Sequence, residues 1–98
     1  MEFWYEEIWA EESGGQSFSE TATIDIPPST VLVSCALQQV DQQGSGGLAK
    51  MAITQYVRYG NPHNGDWQMI NGDGITSVTF ALTVNNARAQ GTGLIQTV

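Results

Sequence analysis

Residues 77–84 alternate with a period of two. Val78, Phe80, Leu82 and Val84 are apolar, while Ser77, Thr79, Ala81 and Thr83 are small or polar. Successive side chains on a strand point to opposite faces, so this pattern buries one face and leaves the other outward. It constrains the chain more than any other feature, because it recurs. Phe18, Ala22, Ile24 and Ile26 alternate with Ser19, Thr21, Thr23 and Asp25, with Glu20 as the one exception. Pro27 and Pro28 end that run, since proline cannot donate to a ladder.

Val31, Val33, Cys35 and Leu37 share a face of a strand over Val31–Val40. A loop rich in Gln, Gly and Ser follows at Asp41–Gly47. Ala49–Tyr59 is the next strand, with Ala49, Met51, Ile53, Val57 and Tyr59 on one face and Gln55 as a break. Gly60–Asp66 is dense in turn residues. Trp67–Ile70 is a short strand, and Asn71-Gly72-Asp73-Gly74 supplies the positive φ angles of a hairpin turn. After Val84, Asn85–Ala89 is expected to turn and Thr92–Val98 to form a last strand.

The segment Glu2–Glu12 is ambiguous, because Phe3, Trp4, Tyr5, Ile8 and Trp9 put apolar groups on both faces of a strand. On a helix the same aromatics would surround the axis, and a strand is the favoured reading. Six or seven short strands, short connections and no helix imply one all-β domain over residues 1–98. The expected architecture is a compact antiparallel β-sandwich or small barrel.

With 98 residues, the chain forms little more than a minimal core, so burial against copies of itself would add stability. Ten acidic residues face three basic ones, Lys50, Arg58 and Arg88, for a formal net charge of -7. Three scattered cations cannot neutralise a phosphate backbone, which argues against nucleic acid and anionic membranes as partners. The start MEFWYEE lacks the basic and apolar regions of a leader. No run reaches the roughly 20 apolar residues of a membrane helix. The expectation is synthesis in a cytoplasm, with release or assembly into a particle left open.

Catalytic chemistry is sparse. Cys35 and His63 are the only pairing in the style of a thiol enzyme, but Cys35 falls on an apolar strand face, where cysteine acts as a small hydrophobe. Gly44-Ser45-Gly46-Gly47 lacks the Lys of a phosphate loop and the pattern of a nucleophile elbow, so a hairpin loop is expected. Glu6-Glu7 and Glu11-Glu12 are strand neighbours on opposite faces and cannot converge as glycosidase carboxylates; a solvated, charged edge is the plainer reading. Asp66, Asp73, Asn61, Asn64 and Asn71 match no calcium-loop spacing, and Asx residues beside Gly normally make turns. No catalytic residue, metal or cofactor is expected.

Two clusters remain. Asn61, His63, Asn64, Asp66 and Trp67 combine an aromatic face with amides, an imidazole and a carboxylate, the mixture a sugar site requires. The alternative is a turn beside a core Trp67. Phe3, Trp4, Tyr5 and Trp9 form an aromatic group suited equally to core packing or to a subunit interface, where such residues are enriched.

The stretch from Phe18 through Pro27-Pro28-Ser29-Thr30-Val31-Leu32-Val33-Ser34 to Leu37 and Val40-Asp41 resembles the central pattern of H-type lectins. Leu48 and Gly74 through Phe80 continue the order. The resemblance implies a six-stranded antiparallel sandwich that assembles as trimers or hexamers and binds N-acetylgalactosamine-type sugars. The family's closing strands carry Trp residues, absent here from Thr83-Val84-Asn85 and Leu94–Val98, so no sugar-binding residue transfers. The function expected is a non-catalytic, self-associating carbohydrate-binding module, with a structural subunit of a viral particle, phage tail or other assembly as the alternative.

Overall fold

A computed structural model of the chain describes residues 2–26, 30–53, 67–70 and 76–98. All of its regular structure is strand: β1 (Phe3–Asp25), β2 (Val31–Gln42), β3 (Leu48–Ile53), β4 (Gln68–Ile70) and β5 (Ser77–Thr97). They form one open antiparallel sheet in the order β1-β5-β2-β4, with β3 also paired to β5. The expected run of short strands is corrected at both ends of the chain. The N-terminal segment and residues 18–25 are a single strand of 23 residues. The alternating run at 77–84 and the C-terminal strand are one strand of 21.

β5 is therefore the spine. β1 pairs along one edge of it, from Phe3 opposite Gln96 to Asp25 opposite Ser77. Its other edge is shared: β2 covers residues 87–97 and β3 covers residues 80–85. Because β2 and β3 both run antiparallel to β5, they point the same way and lie end to end. The glycine-rich segment between them is thus not the hairpin loop expected from its composition.

A strand of 21 residues at about 3.3 Å per residue would span roughly 70 Å, yet the longest dimension of the molecule is 43 Å. The sheet must bend, and the bend lies where all three long strands lose register together. β1 slips between Glu12 and Ser17. The end-to-end strands break between Gln42 and Leu48. β5 carries Asn86 at a φ of 50°, the left-handed region that Asn tolerates better than most residues. The turn expected at Asn85–Ala89 is instead this single reversed residue inside a continuous strand.

Asn86 reverses the facing of β5. Before it the even residues Val78, Phe80, Leu82 and Val84 are buried; after it the odd residues Ala87, Ala89 and Ile95 are. One buried face thus continues round the bend, and the two halves of the sheet meet across it. A Cβ on Gly93 would lie 2.5 Å from Cδ2 of Phe80, and one on Gly91 would lie 2.4 Å from Sδ of Met51. Residues 80 and 93 would stand about 40 Å apart on a straight strand. Val31, Val33 and Cys35 of β2, Ile8 and Ala10 of β1, and Met51 and Ile53 of β3 complete the core. The face assigned to β2 from its alternation is the buried one, and Phe80 is 0% exposed, as its place in the pattern implied.

Candidate functional site

The bend is held by a carboxylate. Glu12 accepts hydrogen bonds from the backbone N–H groups of Asn86 (2.9 Å), Gly14 (2.7 Å) and Gln16 (3.0 Å). The side-chain oxygen of Asn86 accepts from the N–H of Gly15 (3.1 Å), and its carbonyl accepts from the N–H of Gln43 (2.7 Å). Gly47 lies so close that a Cβ there would meet the Asn86 carbonyl oxygen at 2.3 Å. Donation from Asn86, then from Gly14, Gln16 and Gly15, holds the Glu12 carboxyl below its ordinary value, against a smaller opposing effect of burial. The pair Glu11-Glu12, plain surface charge by sequence, divides in the structure. Glu11 is exposed, but Glu12 is the clasp of the fold.

Beyond the bend, the two outer faces of the sheet differ. On the half built from residues 17–25, 48–53 and 77–85, the outer face is lined with hydroxyls. Ser19 pairs with Thr83 across the strands (2.7 Å between oxygens), and Thr23 pairs with Thr79 (2.9 Å). Cross-strand hydroxyl pairs of this kind suit a sheet face in water. A shallow hollow of about 340 Å³ lies beside it, lined by Ser17, Leu48, Ala49, Lys50, Thr83, Val84 and Asn85.

The other half carries aromatics outward. The odd residues of β1 point away from the core, which places Phe3 (53% exposed), Tyr5 (62%) and Trp9 (47%) on one face. The ring centroids of Phe3 and Tyr5 are 6.5 Å apart and tilted by 39°. Register extends this face across the sheet. Phe3 opposes Gln96, which opposes Leu32, which opposes Met69. Tyr5 opposes Leu94, which opposes Ser34. Met69 is 59% exposed, whereas Leu32 and Leu94 are half-buried. The guanidinium of Arg88 lies 5.4 Å from the Trp9 ring centroid, and with Ala10 and Glu11 these two line a hollow of about 250 Å³. Two strands across from Tyr5, Ser34 is buried, and its Oγ has no hydrogen-bond partner among the described residues.

Of the four N-terminal aromatics expected to act together, three do share a face. Trp4 points the opposite way and packs on the core. Of the residues read as a sugar site, Trp67 is described and is 45% exposed, so it is not a core residue. Asn61, His63, Asn64 and Asp66 lie outside the described residues, as do the turn at 71–74 and Arg58. Cys35 is buried on the inner face of β2. Among the described residues, no three His, Cys, Asp or Glu side chains come together as metal ligands. No helix there is long and apolar enough to cross a membrane.

No family model matches this chain, and neither the curated proteins nor the solved structures contain a match to it.

Proposed function

We propose that the protein is a non-catalytic, self-associating β-module, a structural subunit of an assembly whose copies meet through the aromatic outer face. In this reading the bent sheet serves as a small sandwich made of two halves of one sheet. The observation that carries it is the contrast between the outer faces. An antiparallel sheet with one face on a core normally presents polar groups on the other. The hydroxyl-lined half does so apart from Leu48 and Phe18, which are also exposed, whereas the half bearing Phe3, Tyr5, Trp9 and Met69 sets three aromatic rings outward from one strand. Large apolar side chains exposed together on one face of a small domain mark an interaction surface. The strand also carries Ile8 and Ala10 inward, so removing it whole would damage the core. The test is therefore Tyr5→Thr with Trp9→Thr, both compatible with a strand. Light scattering at tens of micromolar should show the parent chain as a discrete oligomer and the double variant as a smaller species with the same far-ultraviolet circular dichroism. A parent chain that runs as a monomer removes the proposal.

A carbohydrate-binding role is the second reading, favoured by one observation: Trp67 exposes its ring directly after the polar segment 61–66. An exposed indole beside amides and a carboxylate suits the C–H face and hydroxyls of a sugar. Binding on a glycan array that disappears in Trp67→Ala, with the oligomer intact, would favour it.

A further inference from the structure

Among the described residues, the outer edge of β1 is the longest strand edge without a partner. β1 is bonded to β5 on one side, and among the described residues no strand pairs with its other side. Such an edge presents a row of backbone donors and acceptors ready to accept another strand. Natural edges are usually short, bulged or carry lysines. This one is 23 residues long and has one interruption, at the bend. Its charges all have the same sign: Glu6, Glu7, Glu11, Glu12, Glu20 and Asp25, with no Lys or Arg. On the aromatic side the strand reads Tyr5, Glu7, Trp9, Glu11, an aromatic residue alternating with an acid. Arg88 of β5 lies over the Trp9 ring, so this ring face already takes a guanidinium.

We infer that the free edge of β1 over residues 3–12 accepts a cationic extended segment of another protein as an added strand. Charge complementarity selects the occupant. A strand added here sets its side chains about 4.5–5.5 Å from those directly opposite. Lys or Arg at every second position would therefore face Glu7 and Glu11 and flank the Trp9 and Tyr5 rings. A second copy pairing β1 to β1 would bring the glutamates at 6, 7, 11 and 12 of each copy alongside the other's, a repulsion that a cationic strand replaces with attraction. Of the chain's described cations, Lys50 lies in β3 and Arg88 stands opposite Glu11 in β5, so Glu6 and Glu7 have no described cation across from them. The added strand takes the backbone edge of β1 and sets its cations along the rim of the aromatic face, whereas the self-association proposed above covers the face itself.

The probe is a seven-residue peptide of alternating Lys and Val, blocked at both ends, titrated into the intact protein. Its control has the same charge, with each Val replaced by the D-enantiomer, which cannot form a regular strand. Binding is followed by tryptophan fluorescence and by amide hydrogen exchange, with the oligomeric state measured in parallel. The expected result is saturable binding of the all-L peptide, slowed exchange at β1 amides of residues 3–12, and weak binding of the control. Neutralising two facing pairs in Glu7→Gln with Glu11→Gln should weaken binding about 2- to 30-fold. Equal binding of both peptides, meaning attraction to a polyanion alone, would overturn the inference. So would unprotected β1 amides or the absence of binding at millimolar peptide. Because neither readout depends on the oligomer, a monomeric protein that still takes the peptide would sink self-association and leave this inference standing.

Discussion

Replacing Gly93 with Ala adds one methyl group at the tightest point of the core. That carbon would lie 2.5, 2.6 and 2.7 Å from Cδ2, Cγ and Cε2 of Phe80. Carbon atoms prefer about 3.5–4.0 Å, so the overlap is about 1 Å against three ring atoms at once. Phe80 is fully buried, with Ala22 and Ile53 directly across from it on β1 and β3, and the ring has no free space to enter. Overpacking of this kind costs about 1–3 kcal/mol. In a domain of this size each kcal/mol lowers Tm by roughly 4–8 °C, so thermal unfolding should move down by roughly 4–24 °C. Phe80→Leu shortens the ring side chain and relieves the overlap. The double variant should therefore be more stable than the sum of the single losses by about 0.5–3 kcal/mol. Gly46→Ala is the control. Gly46 has a φ of +74° with nothing within 4 Å of a Cβ, so its cost, about 1–2 kcal/mol, is backbone strain that Phe80→Leu cannot relieve. Calorimetry on the five proteins decides the matter. A Gly93→Ala melt within about a degree of the parent, or strict additivity with Phe80→Leu, would mean that the two halves of the sheet do not meet there.

Phe80→Ala should cost about 3–5 kcal/mol, enough to remove most of the cooperative transition seen in urea. A soluble thiol reagent should label Cys35, which is fully buried in β2, slowly in native buffer and quickly after denaturation; fast native labelling would contradict the register of β2. Glu12→Gln should lower Tm at neutral pH, because an amide presents only one oxygen to the three backbone donors of the bend. The folded carboxyl lies below its ordinary value of 4.5, so its stabilisation is complete above that pH and is lost as pH falls through the lowered value. Acid unfolding curves of the parent and the Gln variant should converge at the acid end, and parallel curves would remove Glu12 from the clasp.

The strands were legible because alternation is written in side-chain chemistry. Val78–Val84 and Val31–Leu37 reveal their buried face without reference to any partner. The bend was not legible, since it depends on residues far apart in the chain. Asn85-Asn86 does carry the left-handed tendency of a turn. Yet Glu12, Gln43 and Gly47 on the neighbouring strands hold the backbone there, so one reversed residue bends a continuous ladder instead of closing a hairpin. Gly44-Ser45-Gly46-Gly47 misled for the same reason, because its composition reports a break and not the direction of the chain after it. Gly91 and Gly93 were a missed signal. Glycine inside a strand often marks a close approach of other atoms, here Met51 and Phe80. In the N-terminal segment the alternation of Phe3, Tyr5 and Trp9 was readable, but which set faced the core was settled only by Ile8 and Ala10 going inward.

The central position of β5 has a consequence for how the chain reaches its native state. Every other long strand is bonded to β5, yet β5 is the last of the described elements in chain order. During synthesis, β1, β2 and β3 leave the ribosome before the strand that organises them exists. Phe3 finds its partner Gln96 only after residues 4–95 have emerged between them. Contacts of such long range impose a loop-closure cost before any pairing offsets it, which makes folding slow. In that interval the acidic residues of β1 keep nascent chains apart by repulsion, at the stage when unpaired strands are most prone to aggregate.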